Sequence, residues 1–271
     1  MPGVTPQGER MIPPARAACQ APAALAGRPF RPSGRLACDT MSDRDERIAE
    51  LEAYHRDEVS GCVRCSLSEG RTQVVVGSGD PDADLMFVGE APGYHEDRQG
   101  IPFVGQAGQL LTSLIEGIGL SREDVFIANV LKCRPPGNRD PQPAEIASCE
   151  PHLFRQISLI RPTLVCTLGN FATKLLSGRP DGISRVHGHE LPLVIAGEPV
   201  LLYPLFHPAA ALYTRAMLST LEADFARIPG LLAAGPGAPA PAVPEMVAVG
   251  APAAAAPGAE LEPTGEQLGL F

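Results

Sequence analysis

The fold turns on Leu85-Met86-Phe87-Val88-Gly89-Glu90-Ala91-Pro92-Gly93. An unbroken apolar run closed by a glycine suits a strand buried on both faces. The glycines and Pro92 then form a turn where backbone can approach a ligand closely. The same theme recurs along the chain. Gly105 to Gly119 places Leu110, Leu111, Leu114, Ile115 and Ile118 on one helical face, and Val125-Phe126-Ile127-Ala128 is a second apolar run, ending at Asn129. Pro143 to Ile160 reads as a helix with Pro143 in its first turn, Leu164-Val165-Cys166-Thr167-Leu168 as a strand, and Asn170 to Leu176 as a helix. Val200-Leu201-Leu202 leads to Phe206-His207-Pro208, and a last helix is expected from Ala209 to Arg227. Strands alternating with helices predict an α/β protein whose mostly parallel sheet is covered on both faces. Such sheets bind ligands at the carboxyl ends of their strands. Here three strand ends carry polar side chains: Glu90, Asn129 and His207.

The sequence around this core is different. The 271 residues are 44% hydrophobic and 20% charged, with no Trp. The 28 Gly and 29 Pro exceed the usual combined share of about 12%, which points to low-complexity flanks. Residues 1–40 lack hydrophobic periodicity and read as a disordered extension, with Met41 a candidate start. Residues 41–60 read as an N-terminal helix, capped by Ser42 and carrying Ile48, Leu51 and Tyr54 at helical spacing. Residues 61–228 form the globular domain, and residues 229–271 an Ala/Pro/Gly tail expected to be disordered. No run reaches the ~18–20 apolar residues of a membrane helix, and the start lacks the apolar segment of a secretory signal. A cytosolic enzyme or binding protein is expected. The net charge of −9 argues against a broad nucleic-acid-binding surface, although Lys132, Arg134 and Arg139 lie close enough to form a local basic patch.

Cys62-x2-Cys65 is followed, after 67 residues, by Cys133-x15-Cys149. A Cys-x2-Cys turn aims both sulfurs the same way, so four thiolates are available for zinc or for a [4Fe-4S] cluster. Spacing alone does not choose between the two. Cys166 sits mid-strand as a small core residue, and Cys19 and Cys38 fall in the extension.

Taken together, Gly89 to Gly93, Gly100 to Gly108, Asn129 to Arg139, the four ordered cysteines and His207-Pro208 resemble the uracil-DNA glycosylase superfamily, most closely its family 4, the iron-sulfur enzymes. The resemblance spans residues 60–227. It implies a three-layer α/β/α sandwich around a central four-stranded parallel sheet, with a [4Fe-4S] cluster on Cys62, Cys65, Cys133 and Cys149. It also implies a DNA repair hydrolase that flips uracil out of single- or double-stranded DNA and cleaves the N-glycosidic bond, leaving an abasic site. Phe103 would stack on the base, and Asn129 would read its edge. His207 would donate to O2 as charge moves onto the leaving base, while the backbone of Gly89 and Ala91 closes the pocket. Ala91 occupies the place where a related family carries a catalytic Asp, so Glu90 or Glu96 is expected to position the water, with Asp97 behind them. Arg134 and Arg139 are candidate DNA contacts, and Leu212 the candidate wedge that fills the gap left by the base. The basic, His-containing insertion of relatives that bond covalently to DNA is missing after Cys133, which favours ordinary turnover. A second reading is an iron-sulfur nucleic-acid-binding protein of the same fold without turnover, and a third is a zinc-stabilised α/β protein acting on nucleotides.

The tail ends in Gln267-Leu268-Gly269-Leu270-Phe271. This resembles the bacterial sliding-clamp-binding peptide, in which Gln267, Leu268, Leu270 and Phe271 would fill an apolar pocket while the preceding chain gives reach. The protein is otherwise expected to be a monomer.

Overall fold

The computed structural model describes residues 41–235. In chain order its elements are α1 (Met41–Tyr54), α2 (Leu67–Gly70), β1 (Ser78–Gly79), β2 (Leu85–Gly89), α3 (Tyr94–Gln99), α4 (Gln106–Gly117), β3 (Phe126–Asn129), α5 (Pro143–Ile160), β4 (Leu164–Leu168), α6 (Asn170–Ser177), α7 (Ile183–Val186), β5 (Leu191–Ile195), β6 (Glu198–Leu205), α8 (Pro208–Ala211), α9 (Arg215–Ala226) and α10 (Ile228–Ala234). A π turn at His55–Val59 continues α1.

One mixed six-stranded sheet runs β1-β3-β2-β4-β6-β5. Its four inner strands are parallel, and β1 and β5 pair antiparallel at the two edges. The sheet therefore has six strands where four were expected. The edges escape sequence reading because β1 is two residues long and β5 contains Pro192. Ala196 and Gly197, both at positive φ, turn β5 tightly into β6, as a two-residue hairpin loop requires.

Alternation along the strands divides the core in two. Met86, Val88, Ala128, Val165 and Leu202 face α1, α5 and α6, while Leu85, Phe87, Ile127, Leu164, Cys166 and Tyr203 face α4, α9 and α10. The result is three layers, helices–sheet–helices. Chain reversal lies beside β2: its neighbours are β3, reached across the α4 face, and β4, reached across the α5 face. A crevice at the carboxyl ends of the strands follows from this reversal.

Two boundaries differ from expectation. Residues 41–60 are part of the domain core: Leu51 and Val59 are buried, and Arg47 donates to the Leu159 carbonyl at 2.6 Å and to Asp82 at 3.3 Å. Ser42 bonds the Glu46 carboxylate rather than capping the helix. The last helix is broken, because the chain leaves the helical path at Tyr213 and Thr214 before α9 begins. Helix α10 then reaches Ala234, burying Ile228 and Leu232, so the first residues assigned to the tail are helical. No helix among the described residues is long and apolar enough to cross a membrane. The peptide Gln267 to Phe271 lies outside the described residues.

Candidate active site

Three parallel strands deliver their ends to one cavity of about 400 Å³. Glu90, Ala91, Pro92 and Gly93 arrive from β2, Asn129 from β3 and His207 from β6, and Phe103 comes from the loop before α4. The β2–β3 register sets Gly89 directly opposite Asn129. A Cβ on Gly89 would lie 2.4 Å from Asn129 Oδ1 and 2.6 Å from Phe103 Cζ. Glycine is thus required for the amide and the ring to meet there.

Phe103 is buried at φ +54°, a costly conformation for an aromatic residue. Its surroundings enforce it. Arg122 donates to the Phe103 carbonyl at 3.0 Å and the Pro102 carbonyl at 2.8 Å, and Gly108 leaves room where a Cβ would fall 1.9 Å from the Phe103 oxygen. The Phe103 ring ends 5.7 Å from the His207 ring, centroid to centroid, at 30°.

Asn129 is 2% exposed, and its Oδ1 has no hydrogen-bond partner. A buried acceptor without a donor costs about 1–3 kcal/mol, so the site holds a hydrogen-bonding demand that a ligand N–H can meet. His207 has the opposite arrangement. Its Nδ1 accepts the Ala209 amide at 3.1 Å as the N-cap of α8, which assigns the neutral ring's proton to Nε2. Burial pulls its pKa down to about 4. The imidazole is therefore a neutral donor at physiological pH.

The two candidate carboxylates differ. Glu96 Oε1 accepts the Val104 and Gly105 amides, both at 2.9 Å, and so fixes the loop that follows Phe103. Asp97, expected to stand behind the glutamates, is buried and accepts the Thr72 amide at 2.9 Å. Glu90 lines the cavity, and its backbone carbonyl accepts the Leu131 amide. Burial first, and then the Asp140 carboxylate, raise its pKa from the ordinary carboxylate value.

The basic patch expected from Lys132, Arg134 and Arg139 does not form. Lys132 is 1% exposed and points inward, donating to the Asn129 carbonyl at 2.9 Å and to Gln156 Oε1 at 2.6 Å. Burial lowers its pKa to about 8, opposed by Cys149. Arg139 is held by both oxygens of Glu145, at 2.9 and 2.6 Å, and Glu145 itself completes the capping box of α5. Arg134 stays near the surface. Leu212 closes α8 and is 38% exposed, next to the 86%-exposed Tyr213. The break after α8 thus puts Leu212 at the surface and not inside a helix core.

The four cysteines, brought together from Cys62 to Cys149, line a second cavity with Arg71, Lys132 and His152. Three hydrogen-bonding groups reach three of the sulfurs: Arg71 meets Cys133 at 3.3 Å, the Lys132 amide meets Cys149 at 3.2 Å, and His152 Nε2 meets Cys62 at 3.3 Å. Burial pushes Cys133 up and Cys149 up to about 11, while Arg71 and Lys132 respectively pull the other way. Among the described residues no group of three His, Cys, Asp or Glu closes on a single metal-ion position. Lys132 joins the two sites, with its amide on the Cys149 sulfur and its ammonium on the Asn129 carbonyl. Sequence reasoning missed that link, because a lysine beside a cysteine gives no sign of which way it points.

Comparison with known proteins agrees with this arrangement. The family model "Uracil DNA glycosylase superfamily" matches residues 76–228. The type-4 uracil-DNA glycosylase of Saccharolobus solfataricus is 48% identical over 185 residues, covering 66% of this chain and 86% of that one. The type-4 enzymes of Sulfurisphaera tokodaii (46% identical, covering 64% of this chain and 81% of that one) and Archaeoglobus fulgidus (45%, covering 63% and 88%) are similar to it as well. On its sheet, its convergent strand ends and these matches, the chain belongs to the uracil-DNA glycosylase superfamily, among the type-4 enzymes.

Proposed function

We propose that this protein excises uracil from DNA by hydrolysing the N-glycosidic bond, releasing the free base and leaving an abasic site. The observation that carries the reading is the unpartnered, buried Asn129 Oδ1 beside the Phe103 ring and across from the neutral His207 donor. Extrahelical uracil stacks on Phe103. Its N3–H meets Asn129 Oδ1, and its O4 accepts from the Asn129 amide nitrogen. Cytosine reverses both positions and leaves like groups facing each other. Taking the base from the stack costs roughly a few kcal/mol. Negative charge then collects on the leaving base, and the His207 Nε2–H stabilises it at O2, a fixed dipole aimed where charge develops. Glu90 positions the attacking water. Glu96, whose Oε1 is committed to two backbone amides, holds the Phe103 loop. Leu212 fills the space vacated by the base, which suits its exposure after α8.

Cys62, Cys65, Cys133 and Cys149 hold a [4Fe-4S] cluster. The donor set supports this reading: four thiols share one cavity, and hydrogen-bond donors reach three of them. When bound, the cluster supplies a covalent tie between the segment after α1, the loop after β3 and helix α5. The enzyme works as a cytosolic monomer on uracil-containing DNA, and Gln267, Leu268, Leu270 and Phe271 recruit it to the sliding clamp.

The test is uracil release from a labelled U:G duplex by wild type, Asn129→Ala and His207→Ala. Strong depression by both substitutions supports the pocket, whereas no release from a protein with its cluster intact sinks the glycosylase reading. Visible absorbance and iron analysis, both lost in Cys149→Ser, check the cluster. Deleting residues 267–271 should leave release from short oligonucleotides unchanged.

A further inference from the structure

Beside the cavity stands an exposed ring with two cations on it. Tyr94, the first residue of α3, is 49% exposed. The Arg134 guanidinium carbon sits 5.2 Å from its centroid and that of Arg98 5.7 Å, and Arg98 also donates to the Tyr94 hydroxyl at 3.1 Å. Arg134 Nε also donates to Asn138 Oδ1 at 2.7 Å. Gly93, which precedes Tyr94, and Asn138 both line the cavity, so the cluster adjoins the site directly.

Several other arginines of the protein are balanced by carboxylates. Arg139 and Arg155 each have a carboxylate, as do Arg64 and Arg227. Among the described residues neither Arg98 nor Arg134 has one. Two like charges are thus gathered on one ring at the solvent, oriented by a hydroxyl and an amide oxygen, with no carboxylate among the described residues in ion-pair contact with either. Guanidinium groups so oriented match phosphate oxygens in shape and charge. The ring keeps them extended at modest cost, since stacked arginine loses little further freedom on binding.

We propose that Tyr94, Arg98 and Arg134 form a phosphate clamp that grips the DNA backbone next to the extruded nucleotide, with the arginines contacting phosphate and Tyr94 acting as the positioning residue. The proposal rests on the uracil-excision reading only for the identity of the strand. It also explains how an acidic chain, at −9 overall, meets a polyanion: through a few arginines without carboxylates at the cavity mouth and not through net charge.

The experiment measures binding of a fluorescein-labelled, uracil-free single strand by anisotropy across a sodium chloride series, with uracil release assayed in parallel. Each phosphate that is no longer gripped should reduce the slope of log affinity against log salt by about 0.7. Arg98→Ala and Arg134→Ala are each expected to reduce it by about that amount, and the fall in uracil release should appear in KM. Tyr94→Ala should reduce the slope too, and Tyr94→Phe, which keeps the ring under both arginines and drops only the hydroxyl that accepts from Arg98, should restore most of it. Arg56→Ala, an exposed arginine already paired with Asp57, is the control and should match wild type. Wild-type slopes in both arginine variants, or a wild-type protein that does not bind the strand, overturn the clamp. Intact salt-dependent binding without uracil release would instead sink the excision reading and leave the clamp standing.

Discussion

Replacing Asn129 by leucine separates a residue kept for binding from one kept for the fold. Leucine has nearly the outline of asparagine and needs no hydrogen bonds. Asn129 is 2% exposed, and its Oδ1 is buried without a donor. An unsatisfied buried polar atom costs about 1–3 kcal/mol, and an apolar group of the same shape removes that cost. Against this stands the crowding at Gly89 and Phe103; slight overpacking there takes back about 1 kcal/mol. The expected net effect of Asn129→Leu is a gain of roughly 1 kcal/mol. For a domain of this size that is a rise in Tm of about 2–4 °C. Uracil release should fall at least about a hundredfold, the usual loss when one preorganised polar partner is removed. Urea unfolding with the m-value compared between proteins measures the first quantity, and single-turnover release the second. Destabilisation at unchanged m would show that Asn129 serves the fold. Wild-type release would refute its role at the base edge.

Other outcomes follow from the same geometry. Gly89→Ala should lower uracil release by about a hundredfold, the scale of an ångström-sized misplacement, because its Cβ must displace Asn129 Oδ1 and Phe103 from 2.4 and 2.6 Å; unchanged steady-state kinetics would show that these groups move freely. Glu96→Ala should destabilise the fold by roughly 2 kcal/mol, since two loop amides lose their shared acceptor, and chemical denaturation reads this directly. A base must be ionised to act, so if Glu90 orients the water the rate falls as pH drops through its raised pKa. Asp140→Asn removes one of the two causes of that rise, so the acid limb of the pH–rate profile should move to lower pH; a limb that stays in place rules out Glu90. His207, neutral down to about pH 4, should add no limb between about pH 5 and pH 7, the range in which an unperturbed histidine would titrate.

Much of the core was legible because the relevant physics is local. Helix α5 and strand β4 have the bounds read from the sequence, since an apolar run or a 3.6-residue stripe bounded by proline and glycine admits few alternatives. The edge strands were not legible. Strand β5, with partly exposed Leu191 and Pro192, is a strand only because β6 pairs with it, and β1 is too short to leave a pattern. The break between α8 and α9 likewise has no strong local signal, since Leu212, Tyr213 and Thr214 are all compatible with helix.

Which strand ends meet at the cavity could be read from the chain before it was folded. Glu90, Asn129 and His207 each follow an apolar run, and the four cysteines, read from the chain as one set, line one cavity. What each charged side chain does depended on the folded molecule. Glu145, six residues beyond Arg139 and at the start of α5, takes up that arginine, while no carboxylate among the described residues reaches Arg134 or Arg98. Lys132, next to a cysteine in the chain, turns inward to Gln156 on α5, 24 residues away. Glu96 meets amides across a loop. Hydrophobic burial is written into the period of the chain, because any partner surface will satisfy it. Hydrogen bonds and ion pairs are short-ranged and directional, so their partners exist only once the strands have been laid in register and the loops between them closed.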